Sequence, residues 1–414
     1  MNTKQKNKFK KIRWLFGKEI EIPQTWNVQK IESLVNVLDS QRIPINSDER
    51  KKIPGNIPYY GANGIQDYVG DYIFDEELIL LAEDGGYFEE YKTRPIAQYI
   101  IGKCWINNHT HVLNAKNNTC LKFVFYSLVH KNILPYINGS TRTKLNQFDL
   151  RQISVLIPSY TEQQKIASIL SGVDASIEAT QKVVEKAETL KKGLMQKLLT
   201  RGIGHTKFKK VRWLFGKEIE IPEEWELTRL RDNCTMYVPM RDKPKKFDGN
   251  IPWLRIEDLD GKFVSDTKSD QYVSNETVKK MNLKIYPIGT VLCSCSATIG
   301  VCAITTEELI TNQTFIGIYS NSRINNEFLY YYLNTQKNNL IKLGSGSTIL
   351  YISRKKFEDF KIVLPSLPEQ QKIASILSGV DAYIQKNQEY KKKLERLKKG
   401  LMQKLLTGQI RVSV

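Results

Sequence analysis

Glu162-Gln163-Gln164-Lys165-Ile166-Ala167-Ser168-Ile169-Leu170-Ser171-Gly172-Val173-Asp174-Ala175 is written twice: the same letters return at Glu369 to Ala382. Lys191-Lys192-Gly193-Leu194-Met195-Gln196-Lys197-Leu198-Leu199-Thr200 returns at Lys398 to Thr407, at the same interval. Between these blocks the sequence drifts but keeps its apolar positions. Steps of three and four from Leu170 land on Val173, Ile177, Thr180, Val184, Ala187, Lys191, Leu194 and Leu198. The second copy gives Leu377, Val380, Ile384, Asn387, Leu394, Leu401 and Leu405. That alternation predicts two long helices, each with a narrow coiled-coil seam. Thr180, Lys191, Asn387, Lys391 and Lys398 interrupt it, and polar residues on a seam weaken it while restricting how two helices pair.

The boundaries of both helices are written in the sequence. Ser159 and Ser366 stand three residues before Glu162 and Glu369, the capping-box spacing that satisfies orphan amides at a helix start. Pro368 suits a first turn, where its missing N–H costs little. Gly202 and Gly204 end the first helix and Gly408 the second. About 40 residues at 1.5 Å each give a rod of roughly 60 Å. Ala167, Ser168, Ser171, Gly172 and Ala175 make a small-residue surface, repeated at Ala374, Ser375, Ser378, Gly379 and Ala382. A glycine inside a helix costs about 1 kcal/mol against alanine. Its presence in both copies predicts close approach of another helix; a recent duplication that has not diverged is the alternative.

At 414 residues the chain is long enough for two or three domains with real cores. Charged residues are 26% and hydrophobic ones 41%, but the net charge of +18 points to a polyanionic partner, nucleic acid before an anionic membrane surface. No apolar run approaches the ~20 residues of a membrane span, and the Lys-rich start lacks the apolar core of a signal peptide. Cys104, Cys120, Cys234, Cys293, Cys295 and Cys302 show no CxxC pair or regular framework. They read as reduced, mostly buried thiols in a cytoplasmic protein.

Residues 1–8 are polar and read as frayed. Phe9-Lys10-Lys11-Ile12-Arg13-Trp14-Leu15-Phe16-Gly17-Lys18-Glu19-Ile20-Glu21-Ile22-Pro23 returns as Phe208 to Pro222 with one change, Ile12 to Val211, and each copy leads to a tryptophan, Trp26 or Trp225. The chain is therefore two tandem units, each a lead-in segment, a variable block and a long helix. The variable blocks, about 27–138 and 226–345, share little beyond Gly55-Asn56-Ile57-Pro58 and Gly249-Asn250-Ile251-Pro252. Both read as mixed α/β domains rich in short strands. Tyr72-Ile73-Phe74, Leu78 to Leu81 and Gly289 to Cys295 suit strands, while Leu121 to Val129 and Glu327 to Asn338 suit short helices. The units reconverge on Gly139-Ser140-Thr141 and Gly346-Ser347-Thr348, then on apolar strands ending at Pro158 and Pro365.

Catalytic chemistry is weakly represented. Asn56-Ile57-Pro58-Tyr59 approaches the Asn-Pro-Pro-Tyr motif of amino-methyltransferases, but Ile57 breaks it and no glycine-rich loop for S-adenosylmethionine accompanies it. A strand followed by a turn at Gly61-Ala62-Asn63-Gly64 fits better. His109-Thr110-His111 near Cys104 has the residue types of a metal site, although two histidines at strand spacing are more often structural. No P-loop, nucleophile triad or nuclease carboxylate cluster stands out, so no catalytic residue and no metal ligand is assigned. Candidate DNA contacts are Tyr59, Tyr60, Asn63, Lys92, Arg94, Ser140, Thr141, Arg142 and Lys144 in the first block. In the second they are Trp253, Arg255, Glu257, Ser296, Ser347, Thr348, Arg354 and Lys355. Arginine suits guanine edges, asparagine adenine, and lysine or serine phosphate. The structural alternatives are a core position for Trp253, solvated arginines, and turns that set strand register at Ser140-Thr141 and Ser347-Thr348.

The whole organisation resembles the specificity subunit of type I restriction–modification systems. Pro-Ser-Leu-Pro-Glu-Gln-Gln-Lys-Ile at 365–373, its counterpart at 158–166 and the two Lys-Lys-Gly-Leu-Met-Gln-Lys-Leu-Leu-Thr helix ends carry the resemblance, which covers nearly the whole chain. Ile57 to Gly64 and Ile251 to Leu254 are also similar to segments of that family's recognition domains, while Tyr160-Thr161 departs from the Leu-Pro of the second helix start. The resemblance implies an α+β fold of two target recognition domains separated by two antiparallel coiled-coil helices. The expected divisions are a lead-in at 1–26, recognition domains at 27–158 and 226–365, long helices at 159–201 and 366–408, a linker and repeated lead-in at 202–225, and a tail at 409–414. Each domain would read half of a split, asymmetric double-stranded DNA target, with the helices setting the spacer. The chain itself would hold no cofactor. Two modification subunits would bring S-adenosylmethionine and methylate adenine at N6; motor–nuclease subunits would add ATP- and Mg-dependent cleavage. A self-contained methyltransferase or nuclease, and a coiled-coil adaptor that reads no DNA, are the alternatives from other classes.

Overall fold

The computed structural model describes residues 9–14, 17, 19–139, 143–239, 242–346 and 349–413. Two long helices dominate it, Tyr160–Arg201 and Leu367–Leu405, where the three-four apolar pattern places them. The chain divides into two compact units that cut across both helices: residues 1–181 with 389–414, and residues 182–388. Unit 1 therefore holds the amino half of the first helix and the carboxyl half of the second, and unit 2 the reverse.

Within each unit the two half-helices run antiparallel. In unit 1, Asp174 meets Lys398 at 2.6 Å and Gln181 meets Lys391 at 2.8 Å, so numbers rise along one helix as they fall along the other. In unit 2, Lys191 meets Asp381 at 2.6 Å. The lysines that interrupt the apolar seam are thus matched across it by an acid or an amide. A half-buried ion pair forms at one register only, so these pairs select the alignment of the helices. The purely helix–helix apolar contact is short: in unit 2 it is Val184, Ala187 and Ile384, with Val380 against them. Leu170 and Leu405 sink into the core of unit 1 beside residues of the variable block, with Leu401 packed against it. Leu198 and Leu377 do the same in unit 2, with Leu194 alongside. Val173, Ile177 and Leu394 are half-buried.

The small-residue surface needs correction. A Cβ built on Gly172 or Gly379 meets nothing within 4 Å, and both glycines are exposed, so among the described residues no helix approaches these two positions closely. Gly202 and Gly408 do end the helices as expected, in the left-handed conformation with φ of +66° and +73°.

The lead-in segments fold as matching hairpins. Phe9–Arg13 pairs antiparallel with Glu19–Pro23, and Phe208–Arg212 pairs with Glu218–Pro222, in the same register. Each is followed by a short strand that pairs with the strand closing its variable block: Asn27–Lys30 with Ser154–Ile157, and Glu226–Arg229 with Lys361–Leu364. The chain thus enters and leaves each block through a two-stranded neck.

Beyond the necks the blocks diverge. In unit 1 a six-stranded sheet runs in the order Val35–Val37, Thr110–Ala115, Phe74–Ala82, Ala97–Ile106, Pro54–Gly61, Gly64–Val69. Leu78 to Leu81 are wholly buried at its centre, as an unbroken apolar run at strand length predicts. In unit 2 a five-stranded sheet lies beside a separate three-stranded one, whose central strand Ile251–Leu254 pairs with Tyr272–Val273 and Ile310–Thr311. Helices Leu121–Leu128 and Asn326–Thr335 occupy corresponding places against the long helices. All six cysteines are free thiols, with Cys104, Cys293, Cys295 and Cys302 buried. Among the described residues no helix is long and apolar enough to cross a membrane.

Candidate nucleic-acid interface

Each neck is fastened by a buried glutamate. Glu162 accepts the Trp26 indole N–H at 3.2 Å and Arg411 Nε at 2.6 Å. Glu369 accepts the Trp225 indole at 3.0 Å, His205 Nε2 at 2.9 Å and the Ile203 amide at 2.9 Å. Both tryptophans are buried to 1% exposure or less, and a buried indole N–H requires an acceptor. The glutamates therefore do not close the reciprocal capping box that their spacing predicts. Ser159 does cap, accepting the Glu162 amide at 3.4 Å, but the carboxylates are spent on the lead-in segments. The next residue is equally committed: Gln163 accepts the Cys120 amide and Gln370 the Asn325 amide, at 3.0 and 2.9 Å.

A second repeated contact holds the short helix of each block. The Tyr126 hydroxyl donates to Asp174 at 2.7 Å, and Asp174 is the residue paired with Lys398. The Tyr331 hydroxyl donates to Asp381 at 2.5 Å, and Asp381 is paired with Lys191. Burial, with the neighbouring carboxylate, pushes both phenols well above their usual range, so they stay protonated as donors. Sequence reasoning missed these positions. The signal was present: the lead-in repeats both end on tryptophan, and Glu-Gln-Gln and Asp174/Asp381 recur without change.

On this common frame, unit 1 gathers several predicted residues around one loop. The Asn63 side chain donates to the Gly85 carbonyl at 2.9 Å, and Lys144 pairs with Glu83 at 3.1 Å. The Arg94 guanidinium lies 3.9 Å from the Tyr87 ring centroid and 3.4 Å from Glu90. Tyr87 is exposed and was not anticipated. Lys92 is exposed beside Tyr91, and Tyr60 is half-buried with its phenol raised mainly by burial. Tyr59 is corrected: it is 2% exposed, its hydroxyl donates to the Ile45 carbonyl and Arg50 covers its ring. It is a core residue and cannot face a duplex from there. Ser140, Thr141 and Arg142 lie outside the described residues.

Behind the loop sits a buried charge network. His111 is fully buried, with Nδ1 2.6 Å from Asp39 and Nε2 2.7 Å from the Leu145 carbonyl. Both partners are acceptors, so the ring satisfies both only with a proton on each nitrogen. Asp39 also accepts the Val112 amide and Gln147. Arg42 reaches Glu83 at 2.8 Å, joining Lys144 there. Asp39, Glu83 and His111 have the residue types and proximity of a metal-binding group, but the protein's own cations already neutralise both carboxylates. Burial alone would raise Glu83; hydrogen bonds from Arg42 and Lys144 outweigh it and hold the carboxyl below its usual value. His109 pairs instead with Asp84, at 2.9 Å. The network anchors Leu145, immediately after the Lys144 that borders the loop.

In unit 2, Ser296 forms a β-bridge with Tyr351, which also bridges to Ser345. Ser347 and Thr348 lie outside the described residues. Arg354 pairs with Glu358 at 2.7 Å and Lys355 is exposed. Arg255 pairs with Glu257 at 3.1 Å in the turn that follows the central strand of the three-stranded sheet. Trp253 is corrected: it is 4% exposed, packed against Phe247 in the core of that sheet.

Comparison with known proteins agrees with this doubled frame. The family model described as type I restriction modification DNA specificity domain matches residues 23–189 and again 222–396. A Haemophilus influenzae protein named as a type I restriction enzyme specificity subunit is 31% identical over 371 residues, covering 88% of each chain. The type I restriction enzyme MjaVIII specificity subunit of Methanocaldococcus jannaschii is 28% identical over 419 residues, covering 95% of each. The crystal structure of a type I restriction-modification system S subunit from M. genitalium matches with a TM-score of 0.61 at 15% identity, over 92% of this chain and 96% of that one; at that identity it speaks for the fold. Both repeats match the family and the likeness runs nearly end to end, so the chain belongs to the type I restriction modification DNA specificity family.

Proposed function

We propose that this chain is the DNA-reading subunit of a type I restriction–modification complex, each variable block recognising one half of a bipartite, asymmetric target. The observation that carries the reading is the contrast between an invariant frame and two unlike blocks. The glutamate–tryptophan latch and the Tyr–Asp–Lys contact are the same in both units, while one block is a six-stranded sheet and the other is split between five and three strands. Unlike surfaces on one frame suit a target whose halves differ.

In this reading the recognition domains are 27–158 and 226–365, and the long helices set the spacer and dock two modification subunits. Those subunits supply S-adenosylmethionine and methylate adenine at N6; motor–nuclease subunits supply ATP-driven cleavage. The chain contributes recognition and no catalysis. In unit 1 the readers are Asn63, Arg94 with Tyr87, Lys144 and the adjoining residues 140–142. In unit 2 they are Ser296, Arg354, Lys355, residues 347–348, Arg255 and Glu257. The net charge of +18 supplies salt-dependent affinity for phosphate, leaving discrimination to base edges.

Mapping methylated adenines in DNA from cells carrying the chain and its partners tests the reading. A split motif is expected. Exchanging residues 27–138 for those of a relative should alter one half-site; alteration of both would count against independent readers. Deleting four residues within Val183 to Thr189 should change the spacer alone, and altered half-sites with an unaltered spacer would refute the helices' role.

A further inference from the structure

The segment that follows the second long helix closes the neck of the first block, and we propose that Arg411 is a positioning residue for reading the first half-site. The inference rests on the bipartite reading above. Glu162 is 1% exposed, and a buried carboxylate needs a cation and satisfied hydrogen bonds. Arg411 supplies both through a two-pronged contact, Nε at 2.6 Å and Nη2 at 2.8 Å, the fork geometry that lysine cannot reproduce.

What Glu162 fastens makes this contact more than local. Its other partner, Trp26, immediately precedes the strand Asn27–Lys30 by which the chain enters the first block. Glu162 itself follows the strand Ser154–Ile157 by which the chain leaves, and these two strands pair. Its neighbour Gln163 holds the amide of Cys120 at the start of the block's helix. One carboxylate gathers the way in, the way out and, through its neighbour, the helix of the block. Among the described residues Arg411 is the one cation paired with it.

The second copy solves the same problem with residues close in sequence. Glu369 is met by Ile203 and His205, directly after the first helix. In unit 1 that place is taken by residues from the other end of the chain. Leu405 is buried in the unit's core and Val412 packs against it. A Cβ on Gly408 would lie 2.5 Å from the Pro23 ring, so the tail is seated tightly on the lead-in hairpin. The two latches are therefore separable: losing Arg411 uncouples the first neck and leaves the second its own hydrogen-bond partners.

The test uses the chain assembled with its modification subunits, on duplexes carrying the mapped target or single-base changes in either half-site. Methylation rates give a discrimination ratio for each half. Arg411→Ala is expected to lower the ratio at the first half-site by about tenfold, as suits a pair whose arginine is 44% exposed, with the second within about twofold of wild type. Arg411→Lys should recover part of the loss, and adding Glu162→Gln to Arg411→Ala should recover more by removing the uncompensated charge. A folding defect alone would lower yield or erode both ratios together, and so would overturn the positioning role. Unchanged ratios in Arg411→Ala would also overturn it. If the wild-type complex itself showed no half-site-resolved discrimination, the bipartite reading would fall and this inference with it.

Discussion

Replacing Asp39 by Asn keeps the shape of the side chain and removes its charge. The carboxylate is 9% exposed and accepts from His111 at 2.6 Å, the Val112 amide at 3.0 Å and Gln147 at 3.1 Å. Asparagine offers one acceptor oxygen, and its amide turns N–H groups toward donors. At least one buried donor is left unmet, about 1–3 kcal/mol, and the buried His111 loses its counter-ion, bringing the total to roughly 3–5 kcal/mol. Burial alone would raise Asp39; the hydrogen bond and charge of His111, with the Val112 amide and Arg42, outweigh it and hold the carboxyl below its usual value. A depressed folded value contributes stability that is full above the ordinary aspartate range near ~3.9 and is lost as pH falls through the folded value. The carboxylate's part of the gap between wild type and Asp39→Asn should therefore be full above about pH 4 and shrink as pH falls below it. A chain of two units need not unfold in one step, so the assay is hydrogen exchange of the strands Val35–Val37 and Thr110–Ala115. Equal protection of the two proteins at neutral pH, or a gap that does not narrow in acid, would refute the reasoning.

Three further expectations are independent of this one. Gly172→Ala and Gly379→Ala should each stabilise the isolated chain by about 0.5–1 kcal/mol, since an added Cβ meets nothing; a lowered melting temperature would contradict this. Lys131, which lies over Trp14, is pulled down by burial to about 8. Its charged form costs stability at neutral pH, a cost that fades as pH rises toward the unfolded value near ~10.4. Lys131→Met should therefore gain roughly 1–2 kcal/mol at pH 7, less any attraction lost from the indole face, and nothing above about pH 10.5; a variant less stable at neutrality would count against it. A double-mutant cycle on Lys398→Met and Asp174→Leu should give a coupling of about 0.5–1.5 kcal/mol, screened because the side chains are 22% and 35% exposed. Denaturant unfolding that returned no coupling there, nor in the Lys191–Asp381 cycle, would remove their role in register.

The architecture was legible because helices and repeats declare themselves locally. A three-four pattern sustained over Tyr160–Arg201 and Leu367–Leu405 needs no tertiary information to be read. The candidate interface was legible only in part. Asn63 and Lys144 converge on one loop, but residue type could not tell exposed Tyr87 from buried Tyr59. Both are tyrosines near polar neighbours; Tyr59 lies in a strand, where the sheet face decides burial and the bulge between Tyr59 and Tyr60 shifts the count, whereas Tyr87 lies in the loop before the short turn Phe88–Glu90. Glu162 and Glu369 were misassigned for a similar reason. Their spacing to a serine is local, whereas the tryptophans that claim them lie in distant sequence. The lysines on the seam read as interruptions because each partner lies on the other helix, whereas Thr180 and Asn387 bond to carbonyls of their own helices.

The division of the chain has a consequence for its biosynthesis. Residues 182–388 are contiguous and hold one complete unit, whereas residues 1–181 lack part of theirs until 389–414 have been made. The unit whose first residues leave the ribosome earliest is thus the last able to close, with Leu405 and its neighbours absent from its core throughout most of translation. Its apolar surface must wait exposed while the later-made unit folds, which makes the amino-terminal half the part that most needs protection on a slow or stalled ribosome.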